Sequence, residues 1–100
     1  MNILFFNKKL KELAESLGEN YTSDIASALD ILVTAGNRIS LPHSKSLGKG
    51  LFELRCLGTG LRILYVFEKN GAIILNIIIK KQDKIPKREL DLARKRQKMI

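Results

Sequence analysis

The sequence predicts a small α+β domain in which helices pack on one face of a twisted antiparallel sheet. Two stretches with helical apolar spacing come first. A run of strand-like alternation between residues 51 and 80 follows, and a basic amphipathic stretch closes the chain behind Pro86. One hundred residues supply one hydrophobic core rather than two, so the whole chain reads as a single domain.

Residues 2–6 are apolar and β-prone enough for a first strand. Asn7 is a candidate N-cap for a helix over residues 8–17, with Leu10, Leu13, Ala14 and Leu17 on one face and Gly18 as its stop. Thr22 and Ser23 are cap candidates for a second helix. Its apolar stripe is Ile25, Leu29, Leu32 and Val33, and Gly36-Asn37 ends it. Residues 37–50, with Pro42, Gly48 and Gly50, read as a loop. In residues 51–57 Phe52, Leu54 and Cys56 alternate with Glu53 and Arg55, which predicts a strand with one apolar and one charged face. A second strand spans residues 61–68, and Asn70-Gly71 is a hairpin signal. Residues 72–80 are apolar at nearly every position, as in a central strand covered on both sides. Pro86 opens the last helix, in which Leu90, Ala93 and Ile100 form a weak inner face.

The net charge of +8 is unevenly spread. Residues 1–36 hold three lysines against five acids, whereas residues 80–100 hold nine basic residues against three acids. That gradient predicts a basic pole for nucleic acid or an acidic protein segment; a solubilising helix face accounts for the charge equally well. No apolar run is long enough to span a membrane. Nothing basic precedes the apolar start, so no signal peptide is expected. The lone Cys56 fits a reducing cytoplasm.

One histidine and one cysteine without a carboxylate cluster make no metal site, and no cofactor is expected. Gly58-Thr59-Gly60 lacks the following helix and lysine of a phosphate loop. Cys56 shares the apolar face of its strand, so it reads as a core thiol. What remains is a cation cluster: Arg55, Arg62, Lys80, Lys81 and the loop residues Lys45 and Lys49. Such a cluster suits metal-independent RNA cleavage, in which the 2′-hydroxyl attacks the adjacent phosphate and the protein stabilises charge and moves protons. Arginine forks match phosphate oxygens, and desolvated lysine can transfer a proton. His43 is an ordinary loop histidine or the proton carrier. For Arg62 a salt bridge to Glu53 competes with phosphate contact, and phosphate contact is preferred. On an open face, Arg62 should be replaceable with little loss of stability.

Leu41-Pro-His-Ser-Lys45, Leu51-Phe-Glu-Leu-Arg55, Arg62-Ile-Leu-Tyr65 and Lys80-Lys-Gln-Asp-Lys84-Ile-Pro86, followed by Glu89-Leu-Asp-Leu-Ala93, resemble the HigB-like toxins, including their phage-derived branch. These belong to the RelE/ParE superfamily of bacterial type II toxin–antitoxin systems, and the resemblance covers roughly residues 37–98. It implies a RelE-like fold and a cytoplasmic, ribosome-dependent mRNA endonuclease that inhibits translation. The implied partners are the ribosome, mRNA and a cognate antitoxin, a HigA-like helix-turn-helix protein. By position Arg55 and Arg62 resemble the strand arginines of RNase members, and Lys80 and Lys81 their terminal basic pair. Glu53 stands where RelE has a lysine, and the tyrosine near RelE's last helix has no counterpart, which leaves His43, Lys80 and Lys81 as candidates for proton transfer. Lys84, Lys87, Arg88, Arg94, Lys95 and Lys98, with Lys45 and Lys49, are the expected RNA-backbone contacts. Two alternatives remain: a ParE-like gyrase inhibitor, and a catalytically degenerate module that binds RNA or antitoxin.

Overall fold

The computed structural model describes residues 1–79 and 84–100. The described residues form β1 (Asn2–Phe5), α1 (Lys8–Ser16), α2 (Glu19–Ala35), β2 (Ser44–Gly48), β3 (Leu51–Arg55), β4 (Arg62–Glu68), β5 (Gly71–Ile78) and α3 (Lys87–Gln97). The five strands lie in the order β1-β5-β4-β3-β2. This α+β architecture is consistent with the RelE-like fold that the resemblance implies.

The sheet is mixed rather than wholly antiparallel. From β1 the chain climbs through two helices and returns at the far edge as β2. It then meanders back strand by strand until β5 reaches β1 in parallel. Gly71 permits that last approach, because a Cβ there would collide with the backbone of Asn2. The two-residue turn itself is Lys69-Asn70, one position before the expected Asn-Gly, since Glu68 pairs with Gly71.

Local signals place the helix ends. Asn7 Oδ1 accepts from the Leu10 amide at 2.8 Å, the N-cap bond expected of α1. Helix α2 starts at Glu19 behind Gly18, three residues before the anticipated caps, and Gly36 closes it with its N–H on the Leu32 carbonyl. β2 lies inside the stretch that reads as loop. Ser-Lys-Ser-Leu-Gly has little β-propensity of its own, and pairing with β3 makes it a strand.

The core has two layers. Leu10, Ala14, Ile25, Ala28 and Leu32 of α1 and α2 meet Leu54, Cys56, Ile63, Tyr65 and Ile74 on one sheet face. Ala93 and Leu90 of α3 pack on Leu51, Leu64, Val66, Leu75 and Ile78 of the other. Helix α3 therefore lies opposite α1 and α2, not beside them. The reason is that the second face is itself strongly apolar: Leu51, Leu64 and Leu75 are fully buried, and each would forfeit about 1.5–3 kcal/mol if left in water. Asn76 ties this helix to the sheet, donating through Nδ2 to the carbonyl and Oε2 of Glu89 at 3.1 and 2.7 Å. Among the described residues no helix is long and apolar enough to cross a membrane.

Candidate functional site: a carboxylate between two strand arginines

Beyond the part covered by α3, the same face carries charge. Cross-strand pairing sets Arg55 opposite Arg62 and, one row on, Glu53 opposite Leu64, which in turn faces Asn76. Residues paired across strands share a face, and so do residues two apart on one strand. Glu53, Arg55 and Arg62 therefore converge. Glu53 is almost wholly buried, with Oε1 2.7 Å from Arg62 Nε and Oε2 3.6 Å from Arg55 Nε. The 2.7 Å contact is an ion pair rather than a hydrogen bond, because the Arg62 Nε–H is not aimed at the carboxylate; both arginine Nε atoms are buried without a hydrogen-bond partner among the described residues. Arg62 Nη1 donates to the Gly60 carbonyl at 3.0 Å, which fixes the direction of the guanidinium.

His43 joins this group through the backbone. Its carbonyl accepts from the Arg55 amide at 2.8 Å, extending the β2–β3 ladder by one residue. It is half-buried rather than an exposed loop residue, and its Nδ1 is buried and unpartnered. Lys45, opposite Glu53 in the register, is exposed on the edge strand. Two tethered guanidiniums whose side chains keep part of their surface in solvent can present donors to an oxyanion.

The salt bridge that competed with phosphate contact at Arg62 is the interaction this chain makes, so in the free protein Arg62 faces Glu53 and not an open surface. Arg94, expected on RNA, is also committed elsewhere. Its Nη1 and Nη2 donate to the Gly48 and Leu47 carbonyls at 2.8 and 2.7 Å, clamping α3 to the β2–β3 turn. Gln97 adds a bond to the Lys49 carbonyl at 2.7 Å. Lys49, Lys84, Lys87, Arg88, Lys95 and Lys98 are exposed, and Lys87 lies 3.8 Å from Asp91. Lys80 and Lys81 fall outside the described residues.

Asn76 is a polar residue that sequence reasoning missed, whereas Glu53 was read there as a salt-bridge partner of Arg62 and the structure adds its contact with Arg55. For Glu53 the signal was present: an acid two residues before Arg55 must share its face. Arg96 was missed as well. Its Nη1 donates to the Leu75 carbonyl at 2.7 Å and its guanidinium sits over the Phe6 ring.

Other reactive groups stand apart from this face. Burial, reinforced by the Asp24 charge and opposed by Arg62, pushes the Cys56 thiol up to about 12, so it remains a protonated core residue. Burial also raises the Tyr65 hydroxyl, against the opposing effect of its 2.7 Å bond with Ser44 Oγ on the opposite face. Partial burial pushes the Asp24 carboxyl up, but hydrogen bonds from Thr59 and Gly58 outweigh it and hold the group below its ordinary value. A depression of about 500 Å³ beside Asp24 and Thr59 is lined by no lysine or arginine among the described residues. Among the described residues no three His, Cys, Asp or Glu side chains are grouped to hold a metal.

Residues 6–98 match the family model described as phage-derived protein Gp49-like (DUF891). The chain belongs to the Gp49-like family. This is a RelE/toxin-like family, in keeping with the fold and with the strand arginines. No curated protein matches the chain at a significant level. In this Gp49-like protein the matched stretch takes in every residue of the Glu53–Arg55–Arg62 group.

Proposed function

We propose that this Gp49-like protein is a HigB-type toxin of a type II toxin–antitoxin system and acts as a ribosome-dependent mRNA endonuclease. The observation that carries the reading is the buried Glu53 carboxylate between Arg55 and Arg62 on adjacent strands. A phosphodiester entering this group takes the two guanidiniums, and Glu53 loses its cationic partners. The freed carboxylate accepts the 2′-hydroxyl proton as that oxygen bonds to phosphorus. The 5′ oxygen departs with a proton from the imidazolium form of His43, leaving a 2′,3′-cyclic phosphate and a 5′-hydroxyl. Lys80 and Lys81 are proposed to add charge to the same phosphate. Exposed Lys45, Lys49, Lys84, Lys87, Arg88, Lys95 and Lys98 contact ribosomal RNA, and a HigA-like antitoxin neutralises the toxin in the cytoplasm.

The same ion pair favours a second reading, a silent module that binds RNA or antitoxin, because Glu53 neutralises much of the phosphate-binding charge. Induced expression separates the two. The nuclease reading predicts growth arrest and new transcript ends by primer extension. Normal growth with intact transcripts, at levels where folded protein is detected, would contradict it.

A further inference from the structure

We propose that the β1 edge of the sheet is a docking strand for an acidic partner segment, one that alternates acidic and apolar residues and pairs along Ile3–Phe5. The two sheet edges are built differently. β2 is blunted: its register shifts between Ser46 and Gly48, Lys45 is exposed on it, and the Ser44 amide is already taken by the Ser40 carbonyl. These features discourage strand addition. β1 has none of them. Its register with β5 is unbroken over Asn2–Phe5, and it contains neither charge nor proline.

Its hydrogen-bonding direction is fixed. Asn2 N donates to the Asn70 carbonyl at 3.0 Å and Phe6 N to the Ile74 carbonyl at 2.8 Å, so alternate residues point into the sheet. The intervening Ile3 and Phe5 direct N–H and C=O away from β5, toward the open side. Leu4 is 58% exposed beside them.

The surroundings select the occupant. Ile3 and Phe5 belong to the layer beneath α1, and with Lys8 and Lys11 they line a depression of about 300 Å³ that has no acid among the described residues. Lys8 is 3.9 Å from Glu12, but both side chains are largely exposed and the pair is weak. A strand added here sets one side chain in two toward these lysines and the others beside Leu4. Acidic residues fit the first set and apolar residues the second. A second copy of this chain is disfavoured, because two β1 edges side by side would bring the lysines of both copies together. This inference is independent of the RNA reading.

The test uses the full, isotope-labelled chain and a synthetic peptide of about eight residues alternating glutamate and valine, titrated to millimolar concentration. The Ile3 and Phe5 amides are expected to exchange at least about tenfold more slowly with peptide present, while Ser46 on β2 is unchanged. A Lys8→Glu/Lys11→Glu double variant should lose this response and gain one to a lysine–valine peptide. Ile3→Pro removes an outward N–H without touching the Asn2 and Phe6 bonds, so it should fold yet respond weakly. An equal response of the unaltered chain to the lysine–valine peptide would overturn the proposal. So would protection at β2 instead of β1, self-association through β1, or no response at millimolar peptide.

Discussion

With Glu53 Oε1 2.7 Å from Arg62 Nε and Oε2 3.6 Å from Arg55 Nε, one buried carboxylate serves two cations that would otherwise repel across the β3–β4 pair. This sets what each substitution should do. Arg62→Ala removes a preorganised donor, and single-turnover cleavage should fall by about 10²–10³. Because it also strips Glu53 of its closer partner, the fold should lose about 1–3 kcal/mol, read by urea unfolding. The stability-neutral Arg62 expected of an open face is thus replaced by a residue paired with a buried carboxylate. Glu53→Gln keeps the shape and removes the charge. It should bind RNA more tightly while cleaving at least about 10²-fold more slowly, a divergence that filter binding and single-turnover kinetics would separate. If affinity and rate fell together, Glu53 would be only a scaffold for the arginines.

Helix α3 adds polar bonds to backbone to its apolar packing, with Ala93 its only fully buried side chain among the described residues. Arg94→Met breaks both bonds to the Leu47 and Gly48 carbonyls and should cost about 1–3 kcal/mol, leaving the salt dependence of RNA binding unchanged. Lys95→Ala, one position on and exposed, should do the reverse. It should spare stability and lower the slope of log affinity against log salt by about one. A salt slope reduced in Arg94→Met alone would return that residue to the RNA surface. Composition could not distinguish these neighbours, because an arginine that reaches a turn carbonyl reads in sequence like one that reaches water. Propensity did reveal the central strands, where Ala72 to Ile78 is apolar enough to be buried on both sides. It missed β2, an edge strand defined by its partner. It also placed α3 on the wrong side, since the demand of Leu51, Leu64 and Leu75 for cover is a property of the assembled sheet.

Across the whole molecule, α1 and α2 cover the face that buries Cys56 and Tyr65, while Arg55, Arg62 and the cations of α3 lie on the other side, with Lys8, Lys9 and Lys11 a separate basic group on α1. The charge gradient made that polarity legible in the sequence, whereas the Glu53 ion pairs depended on cross-strand register. The buried thiol gives a global test by pH. Its folded value of about 12 stands above the ordinary 9.0, so the folded state holds the proton more tightly. Stability from this group is complete below pH 9.0 and is lost as pH rises toward 12. Cys56→Ala should flatten the alkaline decline in unfolding free energy relative to the parent chain; parallel curves would show the thiol unperturbed. The central claim, that the Glu53–Arg55–Arg62 face cleaves RNA, is tested most directly by single-turnover cleavage of ribosome-bound mRNA with the parent protein and Arg62→Lys, melting curves being taken alongside. The account predicts cleavage by the parent and only partial activity in the variant, which keeps the charge but loses the planar fork, with the variant still folded. Equal cleavage by both, or none by the folded parent, would contradict it.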